Sequence, residues 1–322
     1  MHASSSIQEA GLGRAQGRVC ARALLAGLLA AVLTLSLSAQ ESFDAFVESI
    51  SADWVRLDPE LATDRQFFSG AEQDALDRQL TPVTAAYQQE KAAFARRSLA
   101  QLARFNRAAL TATQRVSAAM LEWHLNDIIT EADFDDYRYP LNQFTGGQAT
   151  VLSFLNTTHP IRRERDAVNY LARLGQVATM IDTLIAEAKA REARGILPPR
   201  FIIDSTVGQM EVFVTPPPAE NLLVQSLANR TAEMREISPA RRAELVAAAE
   251  QAVRDDILPA YRRAIALLRE QRPRSTDEAG ITRFPGGDRA YASCLRRFTT
   301  TDYTPEQVHA IGLREVAALE GE

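Results

Sequence analysis

The 322-residue sequence has little cysteine or lysine. The first shortage limits disulfide cross-links, and the second leaves arginine as the main source of positive charge. Its two cysteines are Cys20 and Cys294, and the first lies within a predicted export signal. The mature chain then keeps one thiol and can form no internal disulfide. Lys91 and Lys189 are the only lysines, so almost all positive charge is arginine, a bias we attribute to a GC-rich genome. The formal charge of −5 becomes about −7 without the first 40 residues, which disfavours a nucleic-acid partner.

Histidine is also scarce, and its spacing excludes the commonest helical zinc motif. That motif needs two histidines one helical turn apart, with a glutamate between them that polarises the metal-bound water. The closest histidines, His124 and His159, are far apart in the sequence, so no HExxH is present. We expect His124 to be a packed or partly exposed helix residue and His159 to bond backbone at a turn. The sequence therefore predicts no metal ligand and no cofactor in this chain, although a metal site assembled by the fold leaves no spacing to read.

Motifs of nucleophilic catalysis and phosphate binding are missing as well. The sequence has neither a G-x-S-x-G elbow nor a Ser-x-x-Lys pair, and nothing marks Cys294 as an activated thiol. Gly146-Gly147 and Gly286-Gly287 lack the spacing and the lysine of a phosphate loop, so they predict turns. The acidic residues between 131 and 136 predict a solvated turn, with weak cation binding as the alternative. No catalytic residue is predicted.

The N-terminus has the order of a signal peptide. A polar region with three arginines precedes an apolar run at residues 23–33, and small residues follow up to Ala39. The run is shorter than the roughly 20 residues that span a bilayer, which makes a single-pass anchor the weaker alternative. Cys20 precedes the run, which disfavours a lipid-anchored cysteine. We predict a signal peptide at residues 1–39, cleavage near Ala39, a periplasmic or secreted protein, and no stable membrane anchor afterwards.

Beyond Gln40, apolar residues recur with a helical period almost throughout and predict an all-α fold. Thr111–Gln114 and Thr304–Gln307 both fit the capping box, in which a hydroxyl accepts from a free amide at the helix start. The chain shows no repeat, no low-complexity tract and no flexible linker. One continuous helical domain over residues 40–322 is therefore predicted.

Two long helices and one ambiguous segment are indicated within this domain. Residues 166–194 carry one apolar stripe and end at Gly195, which is typical of a helix stop. Residues 239–271 carry another stripe, and Pro259 predicts a kink within it. Residues 200–214 are rich in β-branched and aromatic side chains, which leaves a minor extended segment or a further helix open.

Three segments resemble, in the same order, a bacterial family labelled domain of unknown function 885. The longest is residues 284–316, with Thr299-Thr300-Thr301 and then Thr304-Pro305. The others are Pro140-Leu141-Asn142-Gln143 and residues 194–200. The resemblance covers nearly all of the mature chain, although Ala290 stands where the family commonly has a second tyrosine beside Tyr291.

The resemblance implies a fold similar to neurolysin and Taq carboxypeptidase, zinc metallopeptidases that hold substrate in a channel between helical walls. Members carry an HExxPGH-like motif well downstream of the Thr-Thr-Thr segment, and this chain ends at Glu322. We therefore expect an elongated bundle that forms one channel wall, the N-terminal part of an exported hydrolase acting on peptides, inactive alone. Zinc is expected only in a full-length relative. By analogy, Tyr291, Arg296 and His309 are the residues nearest the cleft.

A second function remains open beside the truncated peptidase, namely a non-catalytic helical binding or scaffold protein. The helix that begins at Thr304 carries an apolar stripe that needs a partner. Its members are Val308, Ile311, Val316 and Leu319. The expected partners are a peptide substrate, and either the missing C-terminal half or a second copy of the chain against this stripe.

Overall fold

The computed structural model describes residues 42–321. The predicted signal peptide and its cleavage at Ala39 lie outside the described residues. The chain divides into two units after Val47, and the second, residues 48–322, is compact. Of the first unit only residues 42–47 are described, and they begin a helix. That helix continues into the second unit, which is described as far as residue 321.

Residues 42–321 are helical and contain no strand, which confirms the predicted all-α class. The α-helices in chain order are α1 (Phe43–Leu57), α2 (Pro59–Arg65), α3 (Gly70–Leu76), α4 (Ala85–Leu102), α5 (Ala112–Asp133), α6 (Gly147–Ser153), α7 (Glu164–Ala193), α8 (Arg200–Val214), α9 (Leu222–Ala232), α10 (Pro239–Ala252), α11 (Leu258–Gln271), α12 (Gly287–Thr299) and α13 (Pro305–Glu320). No helix within this range is long and apolar enough to cross a bilayer.

The main core lies where α7, α8, α10 and α11 pack together. From α7, Leu174, Val177 and Ile181 are fully buried at helical spacing. From α11, Tyr261 is fully buried and donates to the Gln148 carbonyl at 2.6 Å, which satisfies the hydroxyl in an apolar setting. The stripe read from residues 166–194 therefore forms the face of α7 that builds the core, and Gly195 ends the helix with φ +80°.

The segment 200–214 is helix α8, which confirms the helical alternative and excludes the extended one. Ile203, Thr206, Met210 and Phe213 are buried along it at helical spacing, and the helix packs on α11. β-Branched residues lower helix propensity by only a few tenths of a kcal/mol each. Burying a complete apolar stripe outweighs that preference.

The kink predicted at Pro259 appears as a π-helical turn, Val253–Ile257, immediately before α11. Proline has no N–H and its ring crowds the preceding turn, so regular α-helical hydrogen bonding cannot continue through it. A wider turn relieves this conflict. Both predicted capping boxes are confirmed, at the starts of α5 and α13.

The helices α4 and α5 form an antiparallel hairpin beside the main core. A smaller cluster stabilises it, in which Ala95, Leu125 and Ile128 are buried and Trp54 packs at the edge. α12 packs against the opposite side of α5. This arrangement leaves a groove between α5 and α12.

Candidate functional site

The groove between α5 and α12 has a volume of about 670 Å³. That volume falls within the range of roughly 300–1,000 Å³ typical of ligand sites. On α5 its lining includes Ala119, Trp123, Asn126 and Thr130, which follow one another three or four residues apart. Such spacing places them on one helix face. The groove is therefore lined by a continuous stripe of α5 with one aromatic side chain.

The opposite wall of the groove comes from α12. Ala292 and Ser293 lie in the groove, followed one turn later by Arg296 and Arg297. The small side chains leave space along this wall, and the arginines bring positive charge. Gly286 caps the start of α12, and its φ of +77° is in the left-handed region that favours glycine.

Ion pairs across the groove tie α12 to α5. The Arg297 Nε atom lies 3.3 Å from Asp127 Oδ2, and its guanidinium also contacts Glu131. Arg138 pairs with the same Glu131. Asp127 is largely buried, so its carboxylate needs this partner to offset the loss of hydration. The pairs therefore position α12 against α5 and fix the width of the groove.

Three of the four acidic residues between 131 and 136 are paired with arginines, which corrects the prediction of a solvated turn for these three, whereas Asp133 is exposed. Asp135 lies 2.7 Å from buried Arg191, and Asp136 lies 2.6 Å from Arg194. Both arginines come from the end of α7. The run therefore joins the end of α5 to the main core. Within residues 42–321 no group of three or more His, Cys, Asp or Glu is placed to hold a metal ion.

The three residues predicted nearest the cleft are not brought together. Arg296 lines the groove, with its side chain 65% exposed. Tyr291 lies on the same helix, 44% exposed, but does not line the groove. His309 is exposed on α13. Their contact with a substrate stays a prediction.

Sequence reasoning missed Trp123 as a groove residue. Its neighbours Leu125 and Ile128 are buried in the hairpin, and an aromatic residue among apolar ones is typical of a helix core. Trp123 is half-buried because its face of α5 looks towards α12 and not towards α4. Only the position of α12 distinguishes a core residue from a groove residue here. No local sequence pattern indicates that position.

His159 lies in the core, where it contacts backbone as expected. Its Nε2 lies 3.1 Å from the Asp166 carbonyl, and Arg173 donates to its Nδ1 at 2.7 Å. The acceptor role of Nδ1 requires the proton on Nε2, so both ring nitrogens are occupied. Burial lowers the pKa of His159 to about 4, and the Arg173 charge acts in the same direction. His124 is exposed on α5, with its ring edge-on to Trp54.

Glu60 borders this network and gives the protein a testable pH dependence. Burial raises the pKa of Glu60 to about 7, and the amide of Thr81 and the charge of Arg173 oppose the shift only in part. Between pH 4.5 and 7 the folded protein holds a proton that the unfolded chain has released, so stability falls as pH rises through this window. Glu60→Gln cannot ionise. We expect its free energy of unfolding to match that of the wild type near pH 4 and to exceed it by on the order of 2 kcal/mol at pH 8.

Urea unfolding of both proteins at the two pH values measures this difference. The exposed Glu90→Gln on α4 is the control, and it should change stability by less than about 0.5 kcal/mol at either pH. An equal effect of Glu60→Gln at pH 4 and pH 8 would contradict the assignment.

A family model for "Bacterial protein of unknown function (DUF885)" matches residues 59–322. The chain belongs to the DUF885 family. The match includes the groove helices α5 and α12, and it confirms the resemblance read from the segments at 140–143, 194–200 and 284–316. None of the curated proteins matches this DUF885 chain in sequence.

A solved structure shares the fold of this DUF885 chain. It is the crystal structure of a candidate lipoprotein from Colwellia psychrerythraea, with a TM-score of 0.74 and 17% sequence identity. The similarity covers 86% of this chain and 50% of the Colwellia chain. At this identity it shows the fold alone. The DUF885 chain thus spans about half the length of the structure that it matches.

Proposed function

We propose that this DUF885 chain forms the substrate-binding wall of an exported zinc-dependent peptidase, and that a peptide binds in the groove between α5 and α12. The observation that carries the proposal is the groove itself, whose volume suits a ligand and whose lining combines Trp123 with polar and charged side chains. An aromatic surface flanked by a few polar groups is typical of sites that bind peptides and small molecules.

The described residues do not fit zinc. Both ring nitrogens of His159 are occupied, and His124 and His309 are exposed on separate helices. Zinc sites draw three or four such ligands to one point. The proposal therefore assigns the zinc-holding residues to a part of the family architecture outside this chain, and derives no hydrolytic step from the residues present. The Colwellia structure is about twice as long as the part that this chain matches, which leaves room for such a part in that architecture.

The exposed apolar surface of the last helix supports the proposal that a further element covers it. α13 has no buried residue, and Leu313, Val316 and Leu319 on it are exposed. Phe298 on α12 is 84% exposed. Exposed apolar residues grouped along one helix, as those of α13 are, usually mark an interaction surface. We assign that surface to contact with the rest of the family architecture. The signal peptide predicted at residues 1–39 supports our proposal that the protein is exported to the periplasm or outside the cell.

Peptide binding to the full chain tests the proposal. We expect a panel of synthetic octapeptides to include saturable binders by calorimetry, with no cleavage detectable by mass spectrometry when zinc is added. Ala292→Trp fills the groove and should weaken binding at least about tenfold, since it replaces a lining methyl group with an indole.

Ala310→Trp is the matched control, because Ala310 is exposed on α13 and does not line the groove. It should bind peptides as the wild type does. Binding that Ala292→Trp leaves intact, or a panel without a single binder, would refute the groove as a peptide site. Cleavage of peptides by this chain would refute its inactivity alone.

A non-catalytic binding protein is the second candidate. The complete burial of the main core within this chain favours it. Leu174, Ile181 and Tyr261 are fully buried without any further chain. A sharp thermal transition with a monodisperse size distribution would favour this function. Aggregation that a groove-independent variant such as Leu319→Glu on α13 relieves would favour the peptidase wall, because that outcome identifies a surface built to be covered.

A further inference from the structure

The charged side chains that line the groove differ in how firmly they are paired with other residues of the protein. Glu122 receives a hydrogen bond from Arg107 at 2.9 Å. Asp127 is held by Arg297, which also contacts Glu131. The three lining residues Glu122, Asp127 and Arg297 therefore have partners within the protein.

Of the two arginines that line the groove, Arg296 is the one whose charge is less firmly paired. Its ion pair with Asp302 spans 3.3 Å, and the two side chains are 65% and 91% exposed. A solvent-exposed pair of this kind contributes only about 0–1 kcal/mol. A ligand anion can therefore replace Asp302 at little cost.

The position of Arg296 suits a bound chain end. It follows Ala292 by four residues and Ser293 by three, so it stands one helical turn beyond the small residues of the wall. A guanidinium binds a carboxylate through two parallel hydrogen bonds, and a peptide terminus can approach it along the groove. The chain as a whole is acidic, with a net charge of −5, so a local cation is needed to hold an anionic group here.

We propose that Arg296 binds a carboxylate of the peptide that occupies the groove, namely its C-terminal α-carboxylate, while a neighbouring side chain of the peptide packs on Trp123. This inference rests on the proposed function in that it takes the groove ligand to be a peptide. It adds the substrate class, which is peptides bound by a free C-terminus.

Three forms of one octapeptide binder test the inference, namely the free acid, the C-terminal amide, and the amide with one internal glutamate. Calorimetry at low ionic strength should show the free acid binding roughly tenfold more tightly than the amide, as expected for a charge-assisted hydrogen bond. Arg296→Gln should bind the acid and the amide equally. Arg289→Gln is the control, since Arg289 is exposed on the same helix and does not line the groove. It should keep the tenfold preference.

The outcomes separate this inference from the proposed function. If Ala292→Trp blocks binding but acid and amide bind the wild type equally, the carboxylate site is refuted while the peptide groove stands. If the glutamate-containing amide binds as tightly as the free acid, the site takes any carboxylate and the C-terminal assignment is refuted. A preference for the acid that persists in Arg296→Gln would overturn the role of Arg296. If no peptide binds, both proposals fail together.

Discussion

Replacing Arg173 with methionine is expected to lower the free energy of unfolding by at least about 4 kcal/mol. The Arg173 side chain is fully buried in α7. Its guanidinium donates to the carbonyls of Gln79, Pro59 and Leu76 and to the Thr63 hydroxyl, at 2.7–3.2 Å. Methionine has similar volume but no donor, so several buried acceptors would lose their partners at once.

Arg173 also determines the state of His159. Its donation to Nδ1 at 2.7 Å requires a neutral imidazole. Arg165→Met is the matched control on the same helix, because Arg165 is exposed and pairs with Asp74 at 2.9 Å. We expect that control to cost less than about 1 kcal/mol. Chemical unfolding of the three proteins measures both effects, and a loss in Arg173→Met no greater than in Arg165→Met would show that the network contributes nothing to stability.

Gly146→Ala is expected to destabilise the protein by roughly 2–4 kcal/mol. A Cβ at Gly146 would lie 2.4 Å from the backbone nitrogen of Asn142 and 2.2 Å from the Gln148 side-chain oxygen. The loop cannot widen freely, since Asn142 Oδ1 accepts from the amide of Thr145 at 2.8 Å and Gln148 Nε2 donates to the Asn142 carbonyl at 2.6 Å. Close backbone approach, and not phosphate binding, explains this glycine.

Gly175→Ala, in contrast, should raise the free energy of unfolding. Gly175 is exposed in the middle of α7, and a Cβ there would meet nothing within 4 Å. Alanine restricts the unfolded chain and favours the helix, so a gain of about 0.5–1 kcal/mol is expected. Thermal and urea unfolding of both variants provide the measurement. If both variants shift stability in the same direction, local space does not determine the effect at these sites.

Part of the candidate site could be predicted from the sequence. Arg296 was expected near the cleft by resemblance and it lines the groove, while its place in the family's cleft stays a prediction. Trp123 and Asp127 were not expected there, because the groove exists only where α12 packs on α5. Arg297 and Glu131 are 166 residues apart along the chain, and no periodic pattern links positions at that distance.

The sequence by itself determined the all-α class, the long stripe of α7, and the capped starts of α5 and α13. These features depend on contacts between residues three or four positions apart, which helical periodicity displays directly. The tertiary structure alone decided that 200–214 is helical, that the acidic run after residue 130 meets arginines of α7, and that His159 is neutral in the core. Each of these outcomes depends on burial and charge pairing between distant segments, and their free energies exceed the local preferences that a sequence pattern records.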